Sequence, residues 1–470
     1  MVTLMTSPSA QYVSTRGRAP AVDFVEALLR GMAPDGGLYM PVAWPTLPPD
    51  ATTPGRSYDQ IALGVMSPYL GSALPDGALG RALDRLVAGF DDPATTPLVR
   101  LEDDLWMLEL FHGPTAAFKD LAMQLAASLA DEALAASGER LTLVTATSGD
   151  TGAAAVNAFA NKDRIDLIVL HPLDRVSAVQ RRQMTTVDAD NVLNLAVRGD
   201  FDDCQRLVKG LLADESLRER GRFSSVNSIN WARLAGQIPY YVSAVAQLRA
   251  AGDTRAPTFV VPTGNFGDAF AGIAAWRMGL PVAGFVAAVN VNDALARAIN
   301  DGVYARRAAV ETASVSMDVQ APSNFERLVF EASGRDADMT AGLFRDFSRD
   351  GQVTLPDDLL AAIRAEVSAV SIDEAETRAQ IAHAYAAWGH VVCPHTAVAL
   401  AAARRHTGTG PVIALSTAHA AKFGKDVAPV LGFDPAPPRV IRDLGDRPER
   451  LTIIDGTAEA ALTAVRGFST

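Results

Sequence analysis

From about Pro97 onward, short apolar runs alternate with alanine-rich stretches of helical period. LWMLELF (105–111) precedes a helical pattern from Asp120, LTLVTA (141–146) precedes one from Gly152, and DLIVLHP (166–172) follows. TFVVP (258–262), with a helix from Asp268, VAGFVAAVN (282–290) and PVIALSTA (411–418) continue the rhythm. Strands of this length between helices predict βαβ units, and hence an α/β fold of mainly parallel, doubly wound sheets.

The flanks read differently. Residues 1–93 predict a mostly helical N-terminal unit, with a Gly/Pro-rich stretch at 33–50 and helical patterns at Tyr58–Leu70 and Ala78–Phe90. The α/β core then occupies 94–290. Between 291 and 392 the strand signal fades into charged helical text such as PDDLLAAIRAEVSAVSIDEAETRAQ (356–380), which reads as a helical insertion and a candidate lid. Residues 393–470 are expected to return to the large α/β domain and end in a C-terminal segment.

Composition narrows the function classes. A chain of 470 residues exceeds one ordinary core, so two or three domains are expected. Its net charge of -12 repels phosphate backbones and anionic lipid heads, so neither nucleic acid nor membrane is expected as a partner. An anionic substrate would need local cations against that field. The two cysteines, Cys204 and Cys393, form no disulfide framework and no metal-ligand spacing, and they read as reduced, buried thiols with no metal site. No apolar run of signal-peptide or membrane-spanning length occurs, and the cytoplasm is the expected compartment. A monomer or homodimer is expected.

In open α/β sheets ligands bind beyond the carboxyl ends of the strands. Four strand-to-helix turns there hold suitable chemistry. HGPTAAFKD (112–120) places Lys119 at a helix start, where the positive pole disfavours an ammonium and a neutral amine becomes accessible for a Schiff base. Taken alone, it also reads as a solvated lysine, and His112 as a packing residue. ATSGDTGAA (146–154) offers Thr147, Ser148, Gly149, Asp150 and Thr151 at a helix N-terminus, able to grip a carboxylate or simply to cap the helix. GNFGD, comprising Gly264, Asn265, Phe266, Gly267 and Asp268, has the makings of a phosphate cradle, with neither P-loop nor GxGxxG spacing. STAHAAKFG (416–424) adds hydroxyls before a helix and Lys422 one turn in. One amino-acid substrate and one phosphorylated aldehyde cofactor would use all four.

In this order and spacing, the motifs resemble the longer threonine synthases of the tryptophan-synthase-β-like (fold type II) group of pyridoxal-phosphate enzymes. The likeness extends to YVSTRG (12–17), DGGLYMP (35–41), SINWARLAGQIPYY (228–241) and SMDVQAPSNFERL (316–328), and so spans nearly the whole chain. It implies two cofactor-enzyme α/β domains and pyridoxal 5'-phosphate as cofactor. Lys119 would be Schiff-base lysine and proton shuttle, Gly264 to Asp268 would hold the cofactor phosphate, and Thr417, or its neighbour Ser416, would meet the pyridine nitrogen. Ser148 to Thr151, with Thr147, would hold the substrate carboxylate, and Asp150 would lie near the cofactor's phenolic oxygen. Asp150 stands where the wider group usually has Asn, and Ala420 where many relatives have proline.

The reaction implied is O-phosphohomoserine plus water giving threonine and phosphate. Asn230, Arg233, Ser323, Asn324 and Lys422 are the candidate ligands for the substrate and its leaving phosphate. Arg327 is a further candidate, and Arg181 and Ser177 are weaker ones; the two arginines read equally as solvated surface groups. A phospho-lyase or a serine/threonine ammonia-lyase of the same fold would share Lys119 and the phosphate loop. A non-catalytic binding protein of this fold would be expected to have lost one of the four loops.

Overall fold

A computed structural model describes residues 10–219 and 221–468. Two sheets organise the chain. The larger has six strands in the order Val367–Ser371, Gly284–Val289, Thr258–Pro262, Val412–Ser416, Leu105–Glu109, Leu98–Arg100. All neighbours are parallel except the last pair. The smaller has five parallel strands ordered Thr452–Asp455, Val192–Arg198, Ile165–Pro172, Leu141–Ala146, Arg222–Ser224.

Strand periodicity explains how both sheets are buried on two faces. Val260, Ala414 and Met107 pack in one apolar cluster, while Phe259, Val261, Ile413 and Leu108 pack in another. In the small sheet Val144, Ile168 and Leu170 face one cluster, and Leu143, Leu167 and Val169 the other. Successive side chains point to opposite faces, so a near-continuous apolar run is what a helix-covered parallel strand requires.

The N-terminal unit holds the helices Phe24–Arg30, Tyr58–Leu70 and Ala78–Ala88, together with an antiparallel strand pair, Tyr12–Ser14 with Tyr39–Pro41. Its aromatic rings converge on Trp231, with Tyr69, Tyr12 and Trp44 centroids 5.6, 5.9 and 6.0 Å away. Thr15 Oγ1 donates to Glu326 Oε1 at 2.7 Å, so the unit also grips the helix Phe325–Ala332.

Two departures from the sequence-based expectation concern sheet edges. The segment 291–392 is mainly helical, yet Val367–Ser371 within it forms an edge of the large sheet, beside Gly284–Val289. After Val412–Ser416 the chain crosses over, and Thr452–Asp455 pairs with Val192–Arg198 at the edge of the small sheet. VSAVS and TIID are short, and their half-exposed positions leave little apolar pattern to read. Among the described residues no helix is long and apolar enough to cross a membrane, and Cys204 and Cys393 are buried free thiols.

Candidate active site

The Lys119 loop leaves the carboxyl end of Leu105–Glu109 and is folded by its own side chains. Thr115 donates its backbone N–H and its hydroxyl to Asp120, at 2.8 and 2.6 Å, and Ala116 takes a left-handed φ of 55°. Phe118 N donates to Thr417 O at 2.8 Å and His419 N to Ala116 O at 3.1 Å, so the lysine loop and STAHAAKFG are stitched together. Lys119 then opens the helix Lys119–Ser137. An Ala/Leu-rich interior without β-branched residues suits that helix, and Gly138 at φ 77° ends it.

Burial disfavours the Lys119 ammonium, with Lys422 and Arg233 adding to the effect. Asp150 opposes them, and the net result is a pKa below the usual lysine value. Lys119 Nζ lies 3.3 Å from Asp150 Oδ2.

Asp150 begins the next helix, Asp150–Phe159, after Leu141–Ala146. Its Oδ1 accepts from Lys422 Nζ at 2.8 Å and from Gln180 Nε2 at 2.9 Å. Burial alone would raise this carboxyl, but Lys422, Lys119 and Gln180 hold it far below the carboxylate range. Gly149 has φ 140°, and a Cβ there would run into Gln180. The close seating of Gln180 over the loop therefore requires glycine.

The third loop, Gly264–Asp268, leads from Thr258–Pro262 into the helix Gly267–Arg277. Phe266 sits at φ 64° and a Cβ at Gly264 would collide with Ser316 O, so the backbone is packed closely and its N–H groups face a helix start. Asn324 N and Nδ2 both donate to Asn265 O at 3.1 Å, and Ser323 Oγ donates to Asn265 Oδ1 at 3.5 Å. Asp268 is buried, and its Oδ1 accepts from the Tyr240 hydroxyl and, at 2.8 Å, from the Tyr241 hydroxyl. Its Oδ2 has no partner, and burial pushes the carboxyl up to about 6.

The residues singled out from sequence divide by whether their polar atoms are already engaged. Thr147 Oγ1 accepts from Gly149 N and Gly152 N at 2.9 and 2.8 Å, and so caps its own loop. Asn230 donates to Leu28 O at 2.7 Å and accepts from Ala232 N at 3.0 Å, which ties the N-terminal unit down. Asn324 and Ser323 buttress the Gly264–Asp268 loop. Arg327 is buried and donates to Ile229 O at 2.6 Å, while Arg181 pairs with Glu449 at 3.0 Å. Ser177 caps its helix by accepting from Gln180 N at 3.2 Å, and Ser416 shares a 3.0 Å hydrogen bond with Thr396. Lys422 is sealed from solvent, and it also donates to Thr115 O at 2.7 Å.

A second group remains open. Among the described residues Ser148, Thr151 and Thr417 find no side-chain hydrogen-bond partner, and Asn265 is exposed. Arg233 is buried with one backbone acceptor, Val226 O, and its Nε is unpaired. Burial pushes that guanidinium down to about 10, and with no carboxylate partner among the described residues it is suited to receive an anion. Sequence reading overlooked Gln180, Gln183, Thr115 and the pair Tyr240 and Tyr241. Gln183 Nε2 donates to Thr115 O at 2.9 Å, one helical turn from Gln180.

Comparison with known proteins fits this arrangement. Family models described as threonine synthase N terminus, pyridoxal-phosphate dependent enzyme, and threonine synthase C-terminal match residues 11–86, 90–343 and 396–466. Threonine synthase of Pseudomonas aeruginosa is 42% identical over 94% of this chain and 95% of its own. A pyridoxal-phosphate-bound threonine synthase structure from Brucella melitensis superposes with a TM-score of 0.94 at 44% identity, covering 98% of this chain and all of that one (100%). The yeast threonine synthase structure gives 0.92 at 32% identity, over 98% and 99% of the two chains.

Proposed function

The chain belongs to the threonine synthase family of pyridoxal-phosphate-dependent enzymes, and on that premise we propose that it converts O-phospho-L-homoserine and water into L-threonine and phosphate, with Lys119 as the catalytic amine. The observation behind this assignment is the Lys119 amine itself: largely buried at a helix start, depressed in pKa, and facing a carboxylate that Lys422 already pairs.

The residues present fit the cofactor. A close-packed glycine loop at a helix N-terminus suits its phosphate, and the open hydroxyl of Thr417 suits a neutral ring nitrogen. The Lys119 amine suits its aldehyde. When bound, pyridoxal phosphate supplies an electron sink to the substrate's amino-bearing carbon, a modest one beside a hydroxyl rather than a carboxylate, which favours chemistry at Cβ and Cγ.

This chain's groups divide the remaining work. Ser148, Thr151 and the free N–H groups of the Asp150 helix hold the substrate carboxylate. Lys119 Nζ takes the α proton and passes it on, then takes a β proton as phosphate departs from Cγ; it gives that proton to Cγ, and once water has added at Cβ a proton returns to Cα. Arg233 supplies a buried positive charge on the side of the Lys119 amine, which the dianionic leaving group requires on a protein of net charge -12.

The test is one assay of purified protein with pyridoxal phosphate and O-phosphohomoserine, scoring phosphate, threonine and 2-oxobutyrate together. Equal phosphate and threonine, abolished by Lys119→Ala, is the expected result. Phosphate with 2-oxobutyrate would make it a lyase, and turnover retained by Lys119→Ala would sink the role of that lysine.

A further inference from the structure

We infer that Lys422 is a positioning residue rather than a substrate ligand: by occupying Asp150 Oδ1 it fixes that carboxylate and leaves the Lys119 amine free to lose its proton. This rests on the reading of Lys119 as the amine that takes the cofactor.

The geometry places one carboxylate between two amines. Lys422 Nζ meets Asp150 Oδ1 at 2.8 Å, whereas Lys119 Nζ meets Oδ2 at 3.3 Å. The Lys422 side chain is 0% exposed and also donates to Thr115 O, so it has no route to a substrate without breaking two buried contacts. The Lys119 side chain is 12% exposed and opens its helix at the positive pole. With one negative charge to share, the cluster is neutral when a single amine is protonated. Lys422, sealed and closer, is the amine that the carboxylate engages, and Lys119 faces the open side of the site, to which it can release its proton. Had Asp150 only Lys119 beside it, the same carboxylate would hold that amine charged.

The other groups that reach this cluster do not replace Lys422. Arg233, on the neighbouring helix Trp231–Ala235, adds positive charge at Lys119 and pairs with no carboxylate. Asp120 is held by Thr115 and pushed up to about 6 by burial, Asp268 is pushed up to about 6, and His395 is pushed down to about 4. Gln180, the remaining donor to Asp150 Oδ1, is neutral.

The experiment follows attachment of pyridoxal phosphate to the full-length, cofactor-free chain across pH 6 to 10. Samples are trapped with borohydride, and the modified peptide is identified by mass. In Lys422→Met the inflection of the rate should move up by at least about one pH unit, slowing attachment about tenfold near pH 7.5. Lys422→Arg should keep it near wild type. Asp150→Asn with Lys422→Met, which removes both charges, should bring it back below the usual lysine value. An unchanged inflection in Lys422→Met overturns the inference, as does a double variant shifted as far as the single one. If Lys422→Met does not fold, Lys422→Gln, which keeps a donor for Asp150 Oδ1 without the charge, takes its place under the same criteria. Wild-type modification at a residue other than Lys119 would defeat the functional reading itself, whereas modification at Lys119 with no dependence on Lys422 defeats this inference alone.

Discussion

Asp150 and Asp268 begin as near equivalents. Each is buried in the first turn of a helix that starts beyond a parallel strand, one from the small sheet and one from the large. Their states are opposite. Asp150 has a lysine amine on each oxygen and an amide besides, and is held ionised. Asp268 has two phenolic hydroxyls on one oxygen and nothing on the other, and burial pushes it up to about 6. The positive pole of a helix is common to both, so it cannot be what decides. A partial charge worth up to about 2 kcal/mol is outweighed by full charges at contact distance.

The most forceful way to break the comparison is to make Asp150 neutral. Asparagine keeps its shape and leaves Lys422 buried with no counter-charge, which should cost about 3–5 kcal/mol. Urea unfolding of the cofactor-free Asp150→Asn chain at pH 7.5 measures it. A loss within about 1 kcal/mol of wild type, the range of an exposed pair, would mean that Asp150 and Lys422 do not form a buried ion pair.

The contrast also shows what can be read from a linear chain. Lys119, GNFGD and STA could be singled out as candidates because glycines, hydroxyls and a lysine at strand ends form local patterns in the sequence. The α/β alternation was legible because strands buried on both faces, such as TFVVP, are unbroken apolar runs. The partners that set protonation were not legible. Gln180 is 30 residues from Asp150, Tyr241 is 27 from Asp268, and neither type marks itself as a site residue. Lys422 was visible as a cation near the site, but only burial shows that it faces inward. Asn230 was read as a ligand although both its polar ends hold backbone groups, because a cap and a ligand draw on the same residue types.

Asp268 gives the second test, with the opposite sign. Its carboxyl is raised from 3.8 to about 6 on folding, so the folded chain keeps a proton that the unfolded chain gives up. Stability from this group is therefore fully present below about pH 4 and lost as pH rises through about 6, by on the order of 3 kcal/mol. Asp268→Asn keeps an acceptor for Tyr240 and Tyr241 but cannot ionise. The stability difference between wild type and Asp268→Asn should shift by that amount between pH 4 and 6.5, in favour of the variant. Asp120, His395 and the other titrating groups are common to both proteins and cancel. Parallel stability curves would show that Asp268 ionises normally.

The finest discrimination comes from removing one neutral donor from each carboxyl. Tyr241→Phe deletes a hydroxyl that donates at 2.8 Å to both Asp268 Oδ1 and Asp268 O, and Gln180→Leu deletes the amide on Asp150. Each should cost about 1–2 kcal/mol, the ordinary value for a buried hydrogen bond. Their effects on titration should part company. Asp268 depends mainly on its two hydroxyls, with Lys119 a smaller influence, so losing one raises its pKa further and moves its window of pH-dependent stability upward. Asp150 retains both lysine contacts, so Gln180→Leu should leave it ionised and its stability loss the same from pH 5 to 8. Equal pH-shifts in the two variants would mean that neutral donors, rather than Lys119 and Lys422, set the difference between the two carboxyls.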